Sequence, residues 1–118
     1  SMIITCDTRA QAIIETPSIL KQDNKPDAIF CVNDDCASGV LYAAQILGMK
    51  IPDELSICGF SNAPLCRNTY PMLSTVEQHG VEIGKHAMSR LLKRLNGYDR
   101  IAHTEMIATD LIVRETTK

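Results

Sequence analysis

Residues 28–32 read Ala-Ile-Phe-Cys-Val, an unbroken apolar run with Pro26-Asp27 before it and Asn33-Asp34-Asp35 after it. A run this short and continuous predicts a strand buried on both faces, the kind that parallel sheets use. The carboxylates that follow suit a helix N-terminus, where free amides and the helix dipole favour negative charge. A helix is predicted there: Ala37, Val40, Leu41, Ala44 and Leu47 recur at helical spacing, and Gly48 supplies a left-handed stop. After the connector Ile51-Pro52-Asp53-Glu54, Leu55-Ser56-Ile57-Cys58-Gly59-Phe60 reads as another strand. Strand, helix and strand in this order need a right-handed crossover. The chain is therefore predicted to be α/β, a parallel sheet with flanking helices.

The pattern extends both ways. Ile3-Ile4-Thr5-Cys6 predicts a short buried strand, and Asp7 or Thr8 can cap a helix carrying Ala10, Ile13 and Ile14. Pro17 interrupts that helix, and Thr16-Pro17 would restart it through Ile19 and Leu20. Downstream, residues 61–71 read as a loop and 73–76 as a short strand. Residues 81–95 read as an amphipathic helix whose stripe is Val81, Gly84, Ala87, Met88, Leu91, Leu92 and Leu95. Gly97 closes it, and residues 105–113 hold one or two final strands. Ser1-Met2 are set aside as a cleavage remnant.

Composition narrows the function classes. With 118 residues the chain fits one domain, and 12 Lys+Arg against 14 Asp+Glu argue against binding DNA or an anionic membrane by itself. No apolar run approaches the ~20 residues of a membrane span, and no signal-like segment opens the chain. Cys6, Cys31, Cys36, Cys58 and Cys66 are odd in number and include no C-x-x-C pair, which argues against structural zinc. Three of them sit within apolar runs and read as small buried hydrophobes, which favours a reducing compartment and hence a cytoplasmic protein. Aromatic residues are only 4%, too few for a stacking surface on single strands.

In open parallel sheets, ligands collect beyond the carboxyl ends of the strands. Three such ends are polar here: Cys6-Asp7-Thr8, Val32-Asn33-Asp34-Asp35 and Phe60-Ser61-Asn62. They bring amides, hydroxyls and carboxylates to one edge without a Lys or Arg, which suits a neutral, hydroxyl-rich ligand. Taken singly, each end is equally well read as a helix cap or a turn; their coincidence is the stronger signal. Asp34-Asp35 does not fit a receiver-type magnesium pair, because it follows the second strand and no matching Lys appears. Neither G-x-G-x-x-G nor a phosphate-loop motif is present. His79, His86 and His103 lie late and show no catalytic spacing, and His86 and His103 read as surface residues. Cys36, on the first turn of a helix, is either a thiol of lowered pKa or, more commonly, a plain buried one.

The segment from Pro26 through Asn33-Asp34 resembles the "PDAIF..ND" segment of the LacI/GalR family of bacterial transcription regulators. Ala37 through Gly48, then Ile51 through Phe60, Leu73 through Gln78, and Val113-Arg114-Glu115-Thr116 continue the likeness in the family's order. The resemblance covers nearly everything from Pro26 onward. It implies a type I periplasmic-binding-protein-like effector domain, truncated to its C-terminal part. On that reading residues 3–78 form the C-terminal subdomain. Residues 79–118 are the crossover helix and terminal strands that complete the two-subdomain fold.

The resemblance also implies roles. Asn33 and its neighbour Asp34 match the family's ligand-contacting positions, Gln78 matches a polar crossover residue, and Asp7 and Thr8 lie near a strand end that lines the cleft. Where many members have Asp after Gly-Phe, this chain has Ser61, with Asn62 as a substitute contact. The implied effector is a sugar or another small metabolite, with no cofactor and no metal. The family likeness places the Ala37–Leu47 helix and the 61–70 loop at a two-fold interface, with Val40, Leu41 and Leu65 as contacts. Operator DNA would be bound only through an N-terminal helix-turn-helix outside these residues. A solute-binding protein or a sensor-kinase domain of the same fold is the competing reading, and what precedes Ser1 in the gene product distinguishes them. An enzyme is not expected. The 81–95 stripe, lacking its subdomain partner, is expected to fold back on the sheet or to pack on another copy.

Overall fold

A computed structural model describes residues 2–98, 101–102 and 104–118; Ser1 and His103 lie outside the described residues. The order is α1 (Arg9–Leu20), β1 (Ala28–Phe30), α2 (Asp34–Ile46), β2 (Ser56–Cys58), a 3-10 turn (Pro64–Arg67), β3 (Thr75–Glu77), α3 (Gly80–Leu95) and β4 (Asp110–Ile112).

β1 and β2 pair in parallel, with Ala28 opposite Ser56 and Phe30 opposite Cys58. The intervening α2 is the crossover that the apolar periodicity predicts. The sheet extends through a parallel bridge between Cys58 and Ser74. β3 then turns away and pairs antiparallel with β4. The segment after β4 returns to β2, where the Ile57 amide donates to the Thr116 carbonyl at 2.7 Å.

α1 and α2 pack against each other because both present small residues. Ala12, Thr16 and Leu20, one helical turn apart, are all buried. A Cβ on Gly39 would lie 2.8 Å from Ala12 Cβ, so only glycine allows this approach. Ala37, Val40, Leu41 and Ala44 form the inner face of α2 and join Cys31, Leu55, Ile57, Cys66 and Leu73 in one core. Leu55, Ile57 and Leu73 are fully buried, each worth roughly 1.5–3 kcal/mol of transfer free energy.

Three expectations are corrected, and one of the two alternatives for α3 is excluded. Residues 3–6 form no strand, and Ile3 is 97% exposed, because no neighbouring strand supplies a ladder for them. β1 is covered on one face only: Cys31 is buried beneath the helices, whereas Phe30 and Val32 are exposed on the face that no described element covers. α1 runs through Pro17 without restarting, because burial of Thr16 and Leu20 against α2 outweighs the one hydrogen bond that Pro17 cannot make. α3 does not fold back on the sheet, and none of its residues is buried. It extends the molecule to 58 × 25 × 23 Å, with a radius of gyration of 17.9 Å. A compact chain of this length would have about 13–14 Å.

Candidate functional site

The carboxyl edge of the sheet is organised around Asp34. As the first residue of α2, it points inward and is 2% exposed. Its Oδ2 accepts from the Ala63 amide at 2.7 Å and its Oδ1 from Thr75 Oγ1 at 2.5 Å. One carboxylate thus ties the helix start to the loop after β2 and to β3. Gly59 belongs to the same arrangement, since a Cβ there would collide with Asp34 Oδ1. The structure therefore sets Asp34 as an internal tie, with its oxygens turned away from solvent.

Asn33 caps α2, its Oδ1 accepting from the Cys36 amide at 2.7 Å. Its Nδ2 donates to the Asp7 carbonyl at 2.8 Å, which brings the first two predicted strand ends together. Thr8 is the N-cap of α1, its hydroxyl accepting from the Gln11 amide at 3.3 Å. The side chains of Asp7 and Thr8 remain exposed at the rim.

The third end is a strained loop. Ser61 (φ 113°) and Asn62 (φ 52°) both occupy left-handed backbone without being glycine. Partners on every side hold them there. The Ser61 amide donates to the Val76 carbonyl at 2.8 Å, and the Asn62 amide donates to Thr75 Oγ1 at 3.2 Å. Asn62 is consumed by the fold: Arg114 Nη2 donates to its Oδ1 at 2.7 Å, and its Nδ2 donates to Glu77 Oε2 at 2.9 Å. Ser61 is not consumed. Its half-buried hydroxyl meets the Gln78 side chain, whose Nε2 donates at 3.4 Å. Of the predicted residues, Ser61 pairs with Gln78 and Asn33 pairs with the Asp7 backbone. Asp34 and Asn62 serve as supports.

Sequence reasoning missed Thr75, Glu77 and Arg114, which form the polar frame behind the edge. The Asn62 amide, helped by the His79 backbone amide, holds the Glu77 carboxyl below its usual range. The frame has no local motif: Arg114 lies 52 residues from Asn62, so only the fold pairs them. Of the two readings of Cys36, the plain buried thiol is the one the structure supports. Burial, reinforced by the hydrogen bond between the Cys36 and Cys6 thiols, pushes the Cys36 thiol up to about 11, so the helix start does not activate it. Cys31, Cys36 and Cys66 are buried, and Cys6 and Cys58 partly so. His79 pairs with Asp110 at 2.8 Å and His86 with Glu105 at 2.7 Å, both toward α3 and β4.

Val40 and Leu41, expected at a two-fold interface, face inward. They are 5% and 3% exposed inside this chain's own core, because the apolar face of α2 covers its own sheet. The outward face of α2 carries Tyr42 and Ile46 instead. A groove of about 360 Å³ beside it is lined by Tyr42, Leu65 and Tyr70 among others. A second groove, of about 430 Å³, runs along α3 between Ile83, Leu91 and Ile107. Neither groove is lined by Asn33, Ser61 or Gln78. No helix among the described residues is long and apolar enough to cross a membrane.

Residues 4–117 match a family described as periplasmic binding protein-like domain. The chain is 32% identical over 113 residues to the HTH-type transcriptional repressor PurR of Vibrio campbellii, covering 96% of this chain and 33% of that protein. It is 35% identical over 104 residues to the ribose operon repressor of Haemophilus influenzae, covering 88% and 31%. The chain thus spans about a third of the length of these relatives. Among solved structures it superposes on a LacI-type transcription regulator from Bifidobacterium animalis subsp. lactis with a TM-score of 0.85 and 31% identity, over 97% of this chain and 41% of that one. A LacI family regulator from Arthrobacter sp. FB24, solved in complex with lactose, gives 0.87 and 27%, over 100% and 44%.

Proposed function

We propose a function that proceeds from the family: the chain belongs to the periplasmic binding protein-like domains, as they occur in LacI-type regulators, and it acts as the C-terminal part of an effector-sensing domain. Residues 3–78 form one wall of the ligand cleft. Residues 79–118 cross to the other subdomain, where α3 contributes its apolar face. The exposed stripe of α3 and the uncovered Phe30 and Val32 support this division, since each is an apolar surface that calls for a cover.

The observation that carries the reading is the Ser61–Gln78 pair at the open sheet edge, with Asp7 and Thr8 exposed on the neighbouring strand end. A hydroxyl, an amide and a carboxylate, with the Arg114 guanidinium bound internally, suit a neutral polyhydroxylated molecule of the sugar class. In the intact protein the ligand would bridge the two walls and shift a hinge equilibrium by its differential affinity for the two states. DNA would be bound through a helix-turn-helix outside these residues, in the cytoplasm, by a dimer. The outward residues Tyr42 and Ile46 and the groove residue Leu65 are the proposed self-complementary patch. The chain is a sensing module rather than an enzyme: its described histidines are paired with carboxylates, and burial holds the Cys36 thiol above its ordinary range.

The test is calorimetric titration of the full-length protein with D-ribose, lactose and adenine. One of the two sugars should bind. Ser61→Ala and Gln78→Ala should each weaken it by roughly 1–3 kcal/mol, the cost of leaving a buried polar group unpaired. Binding of adenine alone, or sugar binding that ignores both substitutions, would overturn the assignment.

A further inference from the structure

Five cysteines spread over the sequence converge on the edge just described. Cys6 Sγ lies 3.5 Å from Cys36 Sγ, at sulfur–sulfur contact, although the two are 30 residues apart. Each sulfur also faces a carbonyl: Cys36 Sγ is 3.6 Å from the Cys6 oxygen, and Cys6 Sγ is 3.7 Å from the Thr8 oxygen. The two partners differ in their surroundings. Cys36 sits on the first turn of α2, 4% exposed and fixed by the core. Cys6 is partly exposed at the end of a segment that has no strand ladder.

We propose that Cys6 and Cys36 are a redox modification site, closing to a reversible disulfide when the protein meets a hydroperoxide. A disulfide needs the sulfurs at about 2.05 Å, so the pair must approach by roughly 1.5 Å. The laddder-free segment around Cys6 supplies that movement without disturbing α2.

The chemistry runs in two steps. The Cys6 thiolate attacks one peroxide oxygen, the O–O bond breaks, and the sulfenic acid forms as the other oxygen leaves with its electron pair. Cys36 then loses its proton, and its sulfur attacks the Cys6 sulfur. The S–S bond forms, the S–O bond breaks, and hydroxide leaves to be protonated as water. Overall two thiols give up two electrons and two protons, and the hydroperoxide becomes its alcohol and one water, or two waters when it is hydrogen peroxide. Cys6 is partly exposed whereas Cys36 is 4% exposed, which fits Cys6 as the first to react and Cys36 as the resolving thiol. Cys31 also contacts Cys36 but is buried behind it, so the oxidant meets Cys6 first.

The disulfide would act directly on the candidate site. Asp7, next to Cys6, accepts from Asn33 Nδ2, and Cys36 donates its amide to Asn33 Oδ1. Oxidation therefore staples the rim that Asp7 and Thr8 occupy onto the start of α2. The thiol pair closes whether or not the edge binds an effector, so its failure is separate from failure of the sugar assignment.

The experiment treats the full-length protein with hydrogen peroxide and reads intact mass and peptide linkage. The expected product is lighter by about 2 Da, linked Cys6–Cys36, restored by dithiothreitol and absent from Cys6→Ser and Cys36→Ser. Cys6→Ser guards against misfolding, because Cys6 is only partly buried, at the margin of the core. Amide exchange at residues 5–9 should slow at least tenfold on oxidation. Oxygen addition at Cys6 without a link, a Cys31–Cys36 link, or the same mass loss in Cys6→Ser would each overturn the proposal.

Discussion

Thr75 and Asp34 are 41 residues apart, and the Thr75 hydroxyl donates to the Asp34 carboxylate in a fully buried bond. The bond joins β3 to the first turn of α2. Thr75→Val keeps the shape but leaves Asp34 Oδ1 without that donor, which should cost about 1–3 kcal/mol. Gly59→Ala forces a methyl group into the same oxygen and should cost a similar amount by overpacking. Urea denaturation checks both. Midpoints equal to the parent's would show that the carboxylate is not held as described.

A pH prediction rests on Glu77. Its carboxyl is lowered first by the Asn62 amide and next by the His79 backbone, so the charged form is the one the fold favours. A depressed carboxylate contributes stability above its unfolded pKa, and the contribution is lost as pH falls through the folded one. The 61–62 loop should therefore loosen below the ordinary carboxylate value of 4.5 and not at neutral pH. In an NMR titration the Glu77 carboxyl should titrate below 4.5 and move back toward it in Asn62→Ala. An unmoved midpoint in that variant would remove Asn62 as the cause.

Asn33 carries two separable bonds. Asn33→Asp keeps an acceptor for the Cys36 amide but loses the donor to the Asp7 carbonyl, whereas Asn33→Ala loses both. The alanine variant should be less stable than the aspartate variant by about 1 kcal/mol, a typical cap contribution. Both should weaken effector binding in the full-length protein through the displaced Asp7 rim. Equal stability of the two variants by thermal denaturation would show that the cap contributes nothing.

The α3 stripe is an exposed apolar surface: Val81, Met88, Leu91, Leu92 and Leu95 are all more than half exposed. Burying a large aliphatic side chain is worth about 1.5–3 kcal/mol, so the isolated chain should associate through this face at rising concentration. Sedimentation should detect the assembled fraction, and Leu91→Glu with Leu92→Glu should reduce it. A parent chain that stays monomeric across the range would refute association.

The sequence alone determined the crossover unit β1–α2–β2, because apolar runs and helical spacing are local signals that neighbouring chain cannot erase. It also determined the caps at Thr8 and Asn33 and the left-handed stop at Gly48, where one residue's own chemistry meets a geometric need. Tertiary structure decided everything that needs two distant residues. Residues 3–6 have the composition of a strand but no ladder partner, and Phe30 is apolar but lies on an uncovered face. Asp34 looked like a ligand contact from its place after a strand. It became a buried tie because Thr75 and Ala63, far along the chain, supply donors that satisfy it. The same holds for Asn62 between Arg114 and Glu77, and for the meeting of Cys6 with Cys36. Periodicity reports which face of an element is apolar. Which donors reach a given carboxylate, and which sulfurs touch, depends on loop paths that no local pattern encodes.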